Sequence, residues 1–171
     1  SIDNTETYDG TSWTEVNDLN TARMRVRGTG TTGAAIAVGG APSDTASAGV
    51  SNMELYDGTN WTESTDLPRN LGHHAMAGTQ TSAIVAGGTD ENTSYVQTVE
   101  KWDGSSWTEV GDINTGREQL AGAGTSTATL IASGNTAGGS KKSETEEYDG
   151  TSWTEVGDVN TARYLISGAG L

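Results

Sequence analysis

The residues best suited to acid–base chemistry are four glutamates with a fixed companion. Glu6, Glu54, Glu100 and Glu146 each stand two residues before an aromatic, Tyr8, Tyr56, Trp102 and Tyr148. On a strand that spacing puts carboxylate and ring on one face. An arginine recurs as well, at Arg23, Arg117 and Arg163, while the second copy has Leu71 in that place and Arg69 two residues earlier. A general acid–base pair needs two groups whose environments differ. Carboxylates that recur identically beside an arginine predict a repeated ion pair that buttresses the fold, and nothing marks one copy as catalytic.

The remaining candidates belong to binding. Arg23, Arg25 and Arg27 alternate, so a single strand would carry them as a basic stripe able to hold an anion or a partner's carboxylates. His73 and His74 are the only histidines. Placed side by side on an innermost strand they face opposite ways and cannot readily chelate one ion. His74 is expected to replace a core aliphatic. His73 occupies a position that varies as Arg25, His73, Gln119 and Leu165, and is expected to face a channel. Asp90-Glu91-Asn92 lacks the spacing of a calcium loop and reads as a solvated turn. No metal or cofactor site is expected, and no Ser-His-Asp arrangement stands out. Gly28-Thr29-Gly30 reads as a turn, since it lacks the strand-to-helix context of a phosphate loop. Asn60-Trp61-Thr62 and Asn92-Thr93-Ser94 match the glycosylation sequon, a frequent chance match in a chain this rich in Thr and Ser.

What must position these residues is a tandem repeat. Tyr8-Asp9-Gly10-Thr11-Ser12-Trp13-Thr14-Glu15 returns at 56–63, 102–109 and 148–155, with Trp13, Trp61, Trp107 and Trp153 separated by 48, 46 and 46 residues. That period indicates propeller blades or helical arrays, and the absence of a 3.6-residue pattern excludes helices. Asp-Gly between aromatic-bearing segments predicts a tight hairpin with a type I′ turn, positive φ at both central residues. A turn at Asp18, Asp66, Asp112 or Asp158 follows, then a strand, then an apolar run ending in glycine: Ala34 to Gly40, Ser82 to Gly88, Ala128 to Gly134. Such a run fits a strand buried on both faces. Each Trp is expected to pack its ring between blades rather than to form a sugar-stacking platform. All length variation falls after the double glycine, in 41–52, 89–97 and 135–143, as expected of a fixed scaffold with variable loops.

Composition narrows the partners. The 171 residues carry a net charge of −14, no Cys and no Phe, but 24 Gly and five Trp. That balance argues against a nucleic-acid backbone as ligand. No apolar run approaches the ~20 residues of a membrane-spanning helix.

The double glycines Gly39-Gly40 and Gly87-Gly88, the spaced Tyr and Trp, and an Arg ten residues beyond the Trp together resemble the kelch repeat. The departures are the short Tyr-to-Trp hairpin, Ser133-Gly134 in the third copy, and Leu71. The short Asp-Gly hairpins ending Asn-Thr-Ala-Arg are also similar to repeats in environmental exoproteins and marine phage structural proteins. The resemblance implies an all-β propeller of four-stranded antiparallel blades: complete blades at 22–64, 69–110 and 117–156, outer strands of another at 1–16, and an innermost strand at 163–171. The ring is then completed by further sequence of a longer chain or by oligomerisation. The function implied is a non-enzymatic protein-interaction or structural module, as a virion or extracellular surface component. A carbohydrate-binding or enzymatic propeller is the alternative. Expected partner-binding residues are Arg25, Arg27, His73 and Gln119 at the channel, and Asp44, Asp90, Glu91, Lys141 and Lys142 in the variable loops.

Overall fold

A computed structural model of the chain describes residues 3–43 and 49–170. The first element is a hairpin, β1 (Thr5–Tyr8) with β2 (Trp13–Val16). Three four-stranded antiparallel sheets follow, each in simple meander order. Blade A is β3 (Arg27–Thr31), β4 (Ala34–Val38), β5 (Met53–Tyr56) and β6 (Trp61–Glu63). Blade B is β7 (Ala75–Thr79), β8 (Ser82–Ala86), β9 (Val99–Trp102) and β10 (Trp107–Val110). Blade C is β11 (Ala121–Thr125) and β12 (Ala128–Ala132), then β15 (Thr145–Tyr148) and β16 (Trp153–Val156). A small hairpin intervenes in the third variable loop, β13 (Asn135–Thr136) and β14 (Ser140–Lys141), joined by a 3₁₀ turn. The architecture is all-β, with the sheets arranged as blades of a β-propeller.

The apolar runs sit where their composition demands. In β8, Ala83 and Val85 join Ile36, Val38, Met53, Leu71 and Trp102 in a core between blades A and B. Ile84 and Ala86 point the other way, into a second core with Leu120, Ile131, Tyr148 and Trp153 between blades B and C. A strand buried on both faces is therefore correct for β8. In β12 one face lies at the edge of the array, and Leu130 is exposed there while Ile131 is buried.

The Asp-Gly hairpins are built differently from the expected type I′ turn. Tyr8 pairs with Trp13, leaving a four-residue loop, and only the glycine has positive φ: Gly10 at 99°, Gly58 at 95°, Gly104 at 98°, Gly150 at 95°. The aspartate supplies the closure. Asp9 Oδ1 accepts the backbone N–H groups of Thr11 (2.8 Å) and Ser12 (2.9 Å), and Asp57, Asp103 and Asp149 do the same in their copies. An aspartate that caps its own loop satisfies donors a strand cannot reach. The adjoining Tyr–Trp or Trp–Trp rings lie 4.9 to 5.2 Å apart, tilted against each other.

The innermost strands also begin later than the alternation of arginines suggests. Arg25, His73, Gln119 and Leu165 have φ of 58°, 58°, 56° and 56°, in the left-handed region. A left-handed residue breaks the alternation, so the basic stripe of Arg23, Arg25 and Arg27 does not form. Arg23 turns into the blade and is buried, Arg25 is exposed, and Arg27 opens β3 with its Nε donating to His74 O at 3.2 Å. His73 and His74 precede β7 rather than lying on it.

Candidate functional site

Each blade is locked by a Glu–Arg pair. Arg117 Nη1 lies 2.7 Å from Glu146 Oε1, with both side chains 1% exposed. The other carboxylate oxygen accepts from the backbone N–H and the side-chain amide of Asn114, both at 2.8 Å. Blade A repeats the cradle: Arg23 at 3.0 Å from Glu54, and Asn20 donating twice to Glu54 Oε2 at 2.7 and 2.9 Å. Blade B does not. Its counterpart of Asn20 is Pro68, which has neither amide, and Arg69 reaches Glu100 from a different place at 3.4 Å while also pairing with Glu109 at 2.5 Å. Burial accordingly pushes the Glu100 carboxyl up, more than Arg69 pulls it down, and Glu109 adds to the rise. The recurrent asparagine was the part of the lock that the residue pattern hid, although the Asn-Thr-Ala-Arg string carries it.

The tryptophans close gaps between neighbours. Trp61 Nε1 donates to Thr5 Oγ1 at 3.0 Å and Trp107 Nε1 to Thr65 O at 2.9 Å, in each case reaching back to the preceding repeat.

What remains after these packing roles is one face. The residue just before each left-handed position is bridged to the residue just after the double glycine. Met24 and Ala41 exchange backbone bonds of 2.8 and 2.7 Å, Gly72 and Thr89 of 2.9 and 2.8 Å, and Glu118 and Asn135 of 3.0 Å each. The channel rim and the variable loops thus form one continuous surface. The rim itself is a ladder, with Gln119 N donating to His73 O at 2.7 Å and Leu165 N to Gln119 O at 3.1 Å.

Side chains on that rim meet across blades. His73 Nδ1 lies 2.7 Å from Glu118 Oε2, and Asn135 Nδ2 donates to Glu118 Oε1 at 3.2 Å. Burial pushes the Glu118 carboxyl up, but His73, Asn135 and the charge of Arg25 outweigh it and leave it below its ordinary value. Arg25, His73 and Gln119 are therefore brought together, around a glutamate that was not anticipated. Arg27 lies deeper, between blades. Lys142 pairs with Glu144 at 3.1 Å, and Lys141 Nζ stands 5.4 Å from the centre of the Tyr164 ring. Asp90 spends its carboxylate on its own loop, accepting from Asn92 N at 2.9 Å and Ser94 N at 2.8 Å. Glu91 is exposed beside it. Asp44 lies outside the described residues.

The channel wall offers little chemistry. A cleft of about 470 Å³ is lined by Gly28 to Gly30, Met76 to Gly78, Gly122, Ala123 and Gly168 to Gly170, none of which ionises. His74 is fully buried and burial holds its imidazole down at about 3, with the charges of Arg27 and His73 adding to the effect. No cluster of three metal-ligating side chains occurs among the described residues. No helix there is long and apolar enough to cross a membrane.

No protein-family model matches the chain, and no curated protein sequence does. The fold has clear company, with 155 solved chains similar to it. One is the structure of YjhT, which superposes with a TM-score of 0.79 over 97% of this chain at 10% sequence identity. The chain spans 65% of the length of YjhT. At that identity the likeness concerns the fold alone.

Proposed function

We propose that the chain is a kelch-type propeller module that binds a protein partner through the face formed by the channel rim and the variable loops, without catalysing a reaction. One observation carries this reading. Arg25, His73, Gln119 and Leu165 share a left-handed backbone within 2° of φ, yet carry four different side chains. Such a conformation costs a non-glycine residue ~1 kcal/mol or more. Glycine is the residue that packing alone would select there. Side chains that vary on a strained, constant backbone are what a recognition surface needs, and the adjoining loops at 89–97 and 135–143 vary with them.

The chemistry of the face fits a polar macromolecular partner. Arg25, Lys141 and Lys142 stand on this face among Glu118, Glu144, Asp90 and Glu91, a surface of interspersed charge on a chain of net charge −14. Interspersed charges suit a polar protein partner, and the excess of carboxylates opposes nucleic acid. A module of this composition suits a virion or an extracellular surface. Replacing 89–97 and 135–143 with Gly-Ser linkers, and comparing the proteins captured by the variant and by the parent chain, tests the reading. Capture of a specific protein is expected to vanish with the loops and to survive changes at the Asp-Gly hairpins. A glycan array tests the carbohydrate alternative, which a tight sugar hit would favour.

A further inference from the structure

Arg27 breaks the repeat at a position where packing asks for a small side chain. The equivalent residues of the later copies are Ala75, Ala121 and Ser167. The strand register is shared: Arg27 pairs with Val38 as Ala75 does with Ala86 and Ala121 with Ala132. The scaffold therefore closes on alanine, and the guanidinium is an addition of blade A. That addition has no counter-charge. The chain holds 23 Asp and Glu against nine Lys and Arg, yet among the described residues no carboxylate pairs with Arg27. Its Nε donates to His74 O at 3.2 Å, and its terminal nitrogens have no partner among the same residues. Burial pushes the guanidinium down with no opposing charge, whereas Glu54, Asp66 and Glu63 oppose the same effect at Arg23. His74, held down at about 3, is neutral at ordinary pH and neither competes for an anion nor supplies one. A half-buried charge costs stability unless something completes its shell.

Arg27 lines a cavity of about 170 Å³ on the channel wall, with Val26, Ala75, Met76, Leu120 and Gly122, reaching 166–168. Apolar walls around one cationic fork suit a monoanion with a short aliphatic stem. A guanidinium offers parallel N–H donors to a carboxylate, and one cation offsets one negative charge. A dianion such as phosphate would stay half compensated. At ~30 Å³ per water the cavity holds the volume of roughly five or six waters, enough for a group the size of propionate. We infer that Arg27 and these walls form a binding site for a short aliphatic carboxylate, either free or as the end of an acidic side chain. The site is separate from the rim and does not rest on partner binding there.

The chain has three methionines, of which Met76 alone borders the cavity, so methyl-labelled methionine reads the site by NMR. The full chain is titrated at constant ionic strength with sodium propionate, and separately with end-blocked Gly-Glu-Gly and Gly-Gln-Gly. A saturable shift of the Met76 methyl is expected, with Met24 and Met53 moving far less. A millimolar dissociation constant is the scale open to so small a ligand. Arg27→Ala, matching Ala75 and Ala121, is expected to hold or raise the Tm. It is expected to weaken the response at least ~10-fold, the loss of a charge-assisted hydrogen-bonded pair. A response to propionate, to the glutamyl peptide or to both supports the site and names the source of the carboxylate. No saturable shift with either would overturn the inference. So would a shift that Arg27→Ala leaves unchanged, or one that chloride or the glutaminyl peptide reproduces.

Discussion

Arg117 and Glu146 meet at 2.7 Å with neither side chain more than 1% exposed, and Asn114 completes the carboxylate's shell from the other side. A buried pair this fully bonded is expensive to break from one side. Removing one partner of such a pair costs ~3–5 kcal/mol, because the survivor is a buried, uncompensated charge. Glu146→Gln and Arg117→Ala are each expected to destabilise by about that amount in denaturant melts. Glu100→Gln is expected to cost far less or to stabilise, since Pro68 has already removed its two amide donors. Equal losses at Glu100 and Glu146 would contradict the contrast.

Ser133 occupies a position where the other copies have Gly39 and Gly87, and it shares their left-handed backbone at φ 64°. Ser133→Gly relieves that strain and is expected to be neutral or stabilising by up to ~1 kcal/mol. Gly87→Ala is expected to destabilise by at least ~1 kcal/mol, because a Cβ there would stand 2.7 Å from Arg117 O. Thermal unfolding of the two variants gives the signs directly.

His74 sets a pH dependence with a definite direction. Its folded imidazole titrates at about 3 while the unfolded one keeps the ordinary value of 6.5. Between those values the unfolded state binds more protons, so stability falls steadily as pH drops from 6.5 towards 3. Neither ring nitrogen has a partner among the described residues. His74→Leu, matching the buried Leu120 of the next copy, is expected to raise the Tm at pH 5 and to flatten that slope.

The Asp-Gly loops add a separate acid sensitivity. Hydrogen bonds from Ser106 and Ser105 hold Asp103 down at about 2, from 3.8, and Asp9, Asp57 and Asp149 are lowered by the same contacts. Their stabilisation is present above about pH 4 and is lost as pH falls towards 2. Glu100 works the other way. Its raised carboxyl favours the folded state below the ordinary value of 4.5, and that preference is lost as pH rises through the folded value. Asp103→Asn is expected to reduce the acid-induced loss without altering the Glu100 contribution, read from pH-dependent melts.

The repeat made the blades legible because hydrophobic alternation and Gly placement are local signals. Residues 34–40, 82–88 and 128–134 announced the second strands, and the Glu–Arg recurrence announced the lock. The rim was hidden for a physical reason. Arg25, His73 and Gln119 are not turn formers, so their left-handed backbone follows from inter-blade bonds such as Gln119 N to His73 O, which no local pattern encodes. The Asp-Gly loops were misread because two-residue and four-residue hairpins share the same dipeptide; the deciding bonds are from Thr11 and Ser12 to Asp9. Glu118 escaped notice because its carboxylate does not recur: the equivalent positions hold Met24, Gly72 and Tyr164.

The central claim is that the rim and loops bind while the repeated framework only holds them. The triple variant Arg25→Gly, His73→Gly, Gln119→Gly tests it most directly, since glycine keeps the left-handed backbone and removes only the side chains. Binding to the partner protein captured by the parent chain, measured by surface immobilisation, is expected to fall at least tenfold, about 1.4 kcal/mol, while the Tm holds or rises. Undiminished binding by a variant of unchanged Tm would contradict the account.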